Sequence, residues 1–316
     1  MDRIAIFDTS VVTENMGDYI VMDYCNRILE DIFYDDFLVR IPTHERISQV
    51  TYRYVNNSKY SIVCGTNLLT GKMRRYNQWK LLFSDTRYIQ NVCLMGVGWR
   101  KYGEEFDIYS RKLWNKVLSH SLIHSVRDSY TESQLKKAGF TNVLNTSCPT
   151  MWGLNKELCA SIPQKKANKV VMTTTRYNQN REYDEIMLQI LLRQYNEIYF
   201  WVQSLEDYQY VLSLTNGDKL KIIPPKIAAL DRVLSDGDVD YCGTRLHAGI
   251  RALNHRRRTI IIATDNRAIE IARDTMLPIC KRENVARGLE SMIAGEWKTT
   301  ITLPWDNINK WISQFK

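Results

Sequence analysis

Short apolar runs alternate with helix-like amphipathic stretches along almost the whole chain, and this alternation limits the fold more than any other sequence feature. A strand, a helix and a second strand in succession are typical of a βαβ unit, whose strands pair in parallel. A short helix is also predicted in T-E-S-Q-L-K-K-A-G-F, with Thr131 as its N-cap and Gly139 as its stop. The first half has predicted strands at residues 4–7, 37–41, 60–64, 91–95, 122–126 and 142–145, and a helix at 19–29.

The pattern lapses into polar residues between about 154 and 168, which predicts a linker, and then restarts. Strands are predicted at 170–174, 198–202, 220–223, 239–242 and 259–263, and helices at 183–194, 205–214, 227–234 and 247–253. The sequence therefore predicts an α/β fold of two Rossmann-like domains, residues 1–155 and 168–302, with a cleft between them.

The last stretch, residues 303–316, is predicted to form a helix that docks back towards the N-terminal domain. Pro304 lies near its first position, and its proposed apolar face contains Trp305, Ile308, Trp311 and Ile312.

Composition places the chain among ordinary globular proteins, with 44% hydrophobic and 25% charged residues in a length of 316. The net charge of +8 favours anionic partners, either phosphorylated metabolites or acidic lipid headgroups. Nucleic acid is not an expected partner, because the Lys and Arg residues are dispersed and form no long basic arm. The N-terminus does not resemble a secretory signal and no run is long enough to span a membrane, so we expect a cytoplasmic protein with peripheral contact to a membrane surface.

The seven cysteines are widely spaced and form no C-x-x-C pair, which favours a reducing compartment and a packing role. His44, His120, His124 and His255 have no partner pattern for a metal, so no metal site and no cofactor are predicted. A G-x-S-x-G hydrolase elbow is also absent from the sequence.

Three glycine-containing loops follow predicted strands and are candidates for contact with a ligand, and the last of them is G-V-G-W-R after the strand at 91–95. Asn15, Gly17 and Asp18 precede a helix whose N-terminus offers backbone N–H groups and positive partial charge. Gly65 opens the loop C-G-T-N, which also contains Thr66 and Asn67 and lets the backbone approach a ligand closely. Ordinary turns between strands and helices are the alternative for each of these loops.

Two arginines also follow predicted strands. Arg127 precedes Asp128, and Arg176 ends the polar run T-T-T-R. A guanidinium at a strand end can hold a carboxylate or phosphate through two hydrogen bonds. The alternatives are a salt bridge for Arg127 and a solvated loop for Arg176.

The stretch D-Y-C-G-T-R-L-H places Arg245 and His247 at a strand-to-helix turn. Arg245 is suited to binding an anion, and His247 to donating or accepting a proton. About twenty residues later the predicted loop T-D-N-R brings Asp265 and Arg267 to the same sheet edge. A buried histidine with a packing role remains the alternative for His247.

The order of these segments resembles the polysaccharide pyruvyl transferase family. The similarity lies in the N-x-G-D loop from Asn15, the glycine loop at Gly65, the R-D pair at Arg127, the segment S-C-P-T at 147–150, and R-L-H-A from Arg245. The resemblance covers nearly the whole chain, and R-L-H-A is its most specific part. It implies a two-domain fold similar to glycosyltransferase B (GT-B) enzymes.

The family resemblance also implies transfer of the enolpyruvyl group of phosphoenolpyruvate onto two hydroxyls of a sugar, forming a pyruvate ketal and releasing phosphate during exopolysaccharide or capsule synthesis. The acceptor would be a lipid-linked or nucleotide-linked sugar, with phosphoenolpyruvate as co-substrate and no cofactor. His247 would be the general acid, assisted by Arg245. The expected phosphoenolpyruvate contacts are Arg127, Arg245, Leu246, Arg267, Asn15, Gly17 and Asp18, and the expected acceptor or cleft contacts are Gly65, Thr66, Asn67 and Arg176.

This chain departs from the family pattern at two points. C-G-T-N replaces a loop richer in glycine, and Arg267 replaces a lysine, which keeps the charge and changes its geometry. Two other classes of function stay open. One is a nucleotide-sugar-dependent glycosyltransferase of the same architecture, and the other is a non-catalytic anion-binding or assembly protein.

Overall fold

The computed structural model describes residues 1–215 and 219–316, which form two compact units, each with its own parallel sheet. Unit 1 comprises Met1–Thr13, Val21–Pro149 and Leu303–Lys316, and unit 2 comprises Glu14–Ile20 and Thr150–Thr302. The short segment 14–20, which contains the N-x-G-D loop, therefore groups with the second sheet rather than with the first.

The sheet of unit 1 is built on a continuously buried apolar strand, as expected for a parallel sheet covered on both faces. Four parallel strands lie in the order β2-β1-β3-β4, and β5 pairs in parallel with β6. An isolated bridge between Val97 and Val126 joins the two sets of strands. The strands are β1 (Arg3–Asp8), β2 (Phe37–Pro42), β3 (Tyr60–Cys64), β4 (Val92–Met95), β5 (His124–Val126) and β6 (Val143–Asn145).

All six strands predicted in this half are confirmed, with ends that differ by two residues or fewer. The helices of unit 1 differ more from prediction, because α2 and α3 were not predicted from the sequence. The helices are α1 (Met16–Ile32), whose first five residues group with unit 2, α2 (Gln49–Asn56), α3 (Ile108–Val117) and α4 (Ser129–Lys137), with a 3-10 turn at Phe83–Arg87 and a second one at Pro149–Met151, where the chain passes into unit 2.

The predicted N-cap of α4 was wrong. Asp128, not Thr131, caps the helix, since its carboxylate accepts hydrogen bonds from the Thr131 backbone N–H at 2.7 Å and from the Thr131 hydroxyl at 2.6 Å. The predicted stop is confirmed, because Gly139 follows the helix with φ +102°, a conformation that favours glycine.

The sheet of unit 2 has six parallel strands in the order β12-β11-β10-β7-β8-β9. Its strands are β7 (Lys169–Thr173), β8 (Glu197–Trp201), β9 (Lys221–Ile223), β10 (Val239–Gly243), β11 (Thr259–Ala263) and β12 (Ile279–Lys281). Its helices are α5 (Lys156–Ala160), α6 (Arg181–Gln194), α7 (Leu205–Leu214), α8 (Ile227–Leu234), α9 (Leu246–Asn254), α10 (Asn266–Thr275) and α11 (Glu290–Ala294), with a 3-10 turn at Arg282–Asn284 and a π-helical turn at Val285–Leu289.

One predicted loop of unit 2 is in fact the start of a helix. The Asp265 carboxylate accepts a hydrogen bond from the Arg267 backbone N–H at 2.9 Å and so caps α10. Arg267 consequently lies in the first turn of α10. The strand β12 was not predicted from the sequence, because three residues are too few to show an alternating pattern.

The C-terminal helix α12 (Trp305–Ser313) belongs to unit 1. Its buried residues are Ile308 and Trp311, and the Trp311 indole N–H donates to the Leu94 carbonyl at 3.0 Å. The predicted apolar face was wrong at Trp305, which is 41% exposed. Trp305 is the first residue of the helix and extends beyond the buried stripe.

Within the part of the chain that the structure describes, no helix is both long and apolar enough to cross a bilayer. All seven cysteines are buried and none forms a disulfide. Packing of small apolar thiols is therefore the role that the structure gives them.

Candidate functional site

The strand-to-helix turn after β10 lies at the carboxyl edge of the unit 2 sheet, where parallel α/β sheets bind ligands. Gly243 pairs in register with Thr173 of β7, and a Cβ at position 243 would lie 2.5 Å from the Thr173 hydroxyl oxygen. Only glycine lets the two strands end side by side here. The Thr173 hydroxyl also hydrogen-bonds the Tyr241 hydroxyl at 2.6 Å, which in turn donates to the Arg245 carbonyl at 2.8 Å. This buried network fixes the start of α9.

Arg245 is the N-cap of α9 and is buried. Its Nε donates to the Thr174 carbonyl at 3.0 Å, and one terminal nitrogen forms an ion pair with Asp207 at the start of α7. The guanidinium carbon lies 5.6 Å from the centre of the Tyr177 ring. Burial raises the pKa of Asp207, and the nearby Arg245 opposes that shift. The orientation of the Arg245 side chain is therefore set by two segments, the loop after β7 and the start of α7 after β8.

His247 lies in the first turn of α9 and is also buried. The N-x-G-D loop lies against its ring, since a Cβ at Gly17 would be 3.6 Å from the His247 Nδ1. The loop is held by Asn15, whose side chain accepts from the Gly17 N–H at 3.1 Å and donates to Asp18 at 3.1 Å. Two segments that are far apart in sequence thus meet at the imidazole.

Arg267 is paired with the residue that caps its own helix. Its Nε donates to the Asp265 carboxylate at 2.8 Å. Burial alone would lower the pKa of Arg267, but the charges of Asp265 and Asp18 and the neighbouring Tyr177 raise it. The charge of Asp18 therefore reaches Arg267 within unit 2.

Arg176 and Leu246 complete the predicted residues of unit 2. Arg176 forms ion pairs with Glu14 at 2.9 Å and with Glu206 at 3.0 Å, so acids surround its guanidinium. Leu246 is the first residue of α9 and its side chain is buried. Its contribution to a polar ligand is thus limited to the backbone N–H of the first helical turn.

The remaining predicted residues form a separate cluster in unit 1. Arg127 is 1% exposed, and one of its terminal nitrogens donates to the Asn67 side chain. Gly98 makes room for it, because a Cβ there would lie 2.2 Å from the Arg127 Nε. Gly65 is needed for a similar reason, since its Cβ would lie 2.0 Å from the Gly96 carbonyl oxygen. The Thr66 carbonyl accepts from the Gly98 N–H at 2.9 Å, which closes the cluster.

The structure brings together the predicted residues of unit 2, namely Asn15, Gly17, Asp18, Arg245, Leu246, His247 and Arg267. Sequence reasoning missed Asp207 and Tyr241, and it assigned the glycine loop that contains Gly98 to ligand contact rather than to packing against Arg127. Asp207 is visible in sequence only as a helix-start residue after Ser204, and nothing in the sequence pairs it with Arg245. Across residues 1–215 and 219–316, no three His, Cys, Asp or Glu side chains are grouped so that they could hold a metal ion.

Solved structures with a similar fold are GT-B-like sugar-processing enzymes. UDP-GlcNAc 2-epimerase from Methanocaldococcus jannaschii, in complex with UDP-GlcNAc and UDP, is 14% identical, with a TM-score of 0.57 over 99% of this chain and 98% of that one. Staphylococcus aureus MnaA with UDP is 13% identical, with a TM-score of 0.55 over 94% and 92% of the two chains. The Neisseria meningitidis UDP-GlcNAc 2-epimerase bound to UDP-GlcNAc is 11% identical, with a TM-score of 0.53 over 100% and 99%. The predicted α/β fold of GT-B type is therefore confirmed.

Within this fold class, the sequence profile described as polysaccharide pyruvyl transferase matches residues 15–266. The chain belongs to the polysaccharide pyruvyl transferase family, which makes it a transferase of polysaccharide biosynthesis. The resemblance inferred from R-L-H-A and the N-x-G-D loop is confirmed. No curated protein sequence matches the chain significantly.

Proposed function

We propose that the protein transfers the enolpyruvyl group of phosphoenolpyruvate to two hydroxyls of a sugar, forming a cyclic ketal and releasing phosphate. The observation that carries this proposal is the start of α9, where His247 lies against the Gly17 backbone and Arg245 directly precedes the helix. An imidazole and a guanidinium at one helix N-terminus suit a substrate that must be both protonated and held as an anion.

The reaction needs a proton donor aimed at carbon. His247 protonates the methylene carbon of the enol phosphate, which leaves an oxocarbenium-like centre at the neighbouring carbon. The first sugar hydroxyl attacks that centre and loses its proton. Phosphate then leaves, and the second hydroxyl adds to the same carbon and loses its own proton, so that one diol and one phosphoenolpyruvate give one ketal and one phosphate.

Cationic side chains must stabilise the carboxylate and the departing phosphate throughout. In unit 2 we assign this role to Arg245 and Arg267. Asp207 and Asp265 hold these two guanidinium groups in place, so that no side-chain reorganisation is needed when the charge develops. Arg127, also predicted to contact phosphoenolpyruvate, donates to the Asn67 side chain within unit 1.

A lipid-linked sugar is the acceptor that we propose. An apolar cavity of about 580 Å³ lies beside the N-x-G-D loop. Most of its lining is apolar and includes Met16, Tyr19, Leu205, Ile222 and Pro224. An apolar lining suits a hydrocarbon chain more than a second sugar. The solved structures of similar fold contain UDP or a UDP-sugar, so the experiment must distinguish a lipid-linked acceptor from a nucleotide-linked one.

The test is phosphate release from phosphoenolpyruvate in the presence of candidate lipid-linked sugars, with mass spectrometry of the acceptor for the gain of a pyruvyl ketal. We expect His247→Gln to lower kcat at least about a hundredfold, the usual contribution of a general acid. His255→Gln is the matched control, since His255 caps the other end of α9 and pairs with Asp231. Thermal unfolding of both variants checks that they are folded.

Full activity of His247→Gln would show that the acid is assigned wrongly. Binding of a nucleoside diphosphate sugar donor, with no phosphate release from phosphoenolpyruvate under any acceptor, would favour the glycosyltransferase alternative instead.

A further inference from the structure

The segment 72–88 of unit 1 exposes basic and apolar side chains together. It contains five basic residues and one acidic residue, Asp85. Asp85 is buried, and its carboxylate accepts from the Leu82 backbone N–H at 2.7 Å and from the Tyr52 hydroxyl at 2.9 Å. Asp85 therefore adds no negative charge to the exposed side of the segment, and the half-buried Asp107 is the acid whose pKa the charges of Lys72 and Arg74 help to lower. The basic residues are Lys72, Arg74, Arg75, Lys80 and Arg87.

Large apolar side chains stand beside these charges. Phe83 is 38% exposed and Ile108, the first residue of α3, is 76% exposed. Both adjoin Tyr109, whose ring centre lies 5.8 Å from that of Phe83 and 4.5 Å from the guanidinium carbon of Arg74. Phe83, Tyr109 and Arg74 therefore form one patch, and the exposed Ile108 precedes Tyr109 at the start of α3.

A polar recess adjoins the same segment. The Lys80 backbone N–H donates to the Thr43 carbonyl at 2.8 Å, which ties the segment to residues 44–46. The recess has a volume of about 510 Å³. It is lined by His44, Glu45, Arg46, Asn77, Lys80 and Leu82. Two permanent cations and one carboxylate leave the recess positive, which suits a phosphate group.

We propose that residues 44–46, 72–88 and 108–109, here called the basic-aromatic surface, bind the face of an anionic lipid bilayer. Exposed apolar side chains flanked by Lys and Arg match the boundary between headgroups and acyl chains, where apolar tips insert and cations meet lipid phosphates. A polyanion such as nucleic acid would use the cations and leave Ile108 without a role. The proposal rests on this surface alone and is independent of the reaction.

The test is vesicle flotation of the full-length protein with phosphatidylcholine alone and with about 30 mol% phosphatidylglycerol, an anionic lipid. We expect binding only to the anionic vesicles. Each basic residue near such a surface contributes roughly fivefold to binding, so Arg74→Glu combined with Lys80→Glu should weaken it at least about tenfold. Phe83→Ser and Ile108→Ser should each weaken it severalfold, because they remove the groups that insert.

Matched controls separate the surface from net charge. Lys226→Glu combined with Lys298→Glu makes the same charge change at two exposed lysines of unit 2, and Tyr34→Ser removes an aromatic side chain that is 86% exposed. We expect these variants to bind like the wild type, with thermal unfolding showing that every variant is folded.

Three results would overturn the proposal. The wild type could fail to bind anionic vesicles, or the control charge variant could lose as much binding as the surface variant. Unchanged vesicle binding by both Phe83→Ser and Ile108→Ser would show a purely ionic site. Binding of single-stranded DNA by the wild type, lost in the variant with Arg74→Glu and Lys80→Glu, would then identify a polyanion site instead.

Discussion

The guanidinium of Arg245 and the carboxylate of Asp207 form a buried ion pair between the starts of two helices that follow different strands of unit 2. The two residues are 38 positions apart in sequence, and they meet only because β8 and β10 lie in one sheet. Asp207 therefore fixes the direction in which Arg245 points.

Removal of the Asp207 carboxylate should leave a buried cation without a counter-charge. We expect Asp207→Asn to lower the free energy of unfolding by about 3 kcal/mol, since breaking a buried pair leaves one charge uncompensated. A double-mutant cycle, measured by urea unfolding, tests the pair directly. The double variant Asp207→Asn/Arg245→Met should lose at least about 1 kcal/mol less free energy of unfolding than the sum of the losses in the two single variants.

The exposed pair of Arg193 and Glu290 provides the comparison for that cycle. Glu290→Gln should change the free energy of unfolding by less than about 1 kcal/mol. Strict additivity of Asp207→Asn and Arg245→Met would contradict the role assigned to the pair.

Addition of a single methyl group at Gly98 should displace Arg127. The new Cβ would lie 2.2 Å from the Arg127 Nε, so Gly98→Ala should push the guanidinium away from Asn67 and cost about 1–3 kcal/mol of stability. Gly288→Ala is the matched control, because a Cβ there meets nothing within 4 Å. Equal unfolding free energies for the two variants would refute the close packing of Gly98 against Arg127.

The stability of the protein should depend on His124 at mildly acidic pH. Burial lowers the pKa of His124 from 6.5 to about 4. Its Nδ1 accepts a hydrogen bond from the Leu94 N–H at 3.2 Å, and its other ring nitrogen lies 2.8 Å from the Ser119 carbonyl. The folded protein therefore needs the neutral ring, because a proton on Nδ1 would face another N–H.

Since the folded-state pKa lies below the ordinary value, the contribution of His124 is fully present above pH 6.5 and is lost as the pH falls towards 4. We expect a loss of about 3 kcal/mol over this range. Urea unfolding as a function of pH should show a flatter profile for His124→Gln than for the wild type. Parallel profiles between pH 6.5 and 4 would show that His124 is not the group responsible.

Replacement of the two tryptophans of α12 should lower the free energy of unfolding by very different amounts. Trp311 is fully buried and hydrogen-bonded to Leu94, so Trp311→Ala should cost about 3–5 kcal/mol. Trp305 is 41% exposed, and Trp305→Ala should cost less than about 1 kcal/mol. Thermal unfolding of the two variants measures the difference, and similar losses would mean that α12 buries both rings.

Every described strand except β12 could be predicted from the sequence, because a short apolar run is a local signal that does not depend on the rest of the chain. The short helices α2, α5 and α11 carry no such signal. Isolated helices of five to eight residues are not stable in water, so these helices depend on the surrounding tertiary structure.

The candidate site likewise combines features that are local in the sequence with contacts that only the fold creates. The sequence by itself determined that Arg245 and His247 open a helix after a strand, since the glycine, the apolar run and the helical periodicity are all local. Only the tertiary structure decided that Asp207 anchors Arg245, that Gly17 lies against His247, and that Gly98 makes room for Arg127. These contacts depend on the order and register of strands, and the free energy that sets them comes from burial across the whole sheet rather than from neighbouring residues.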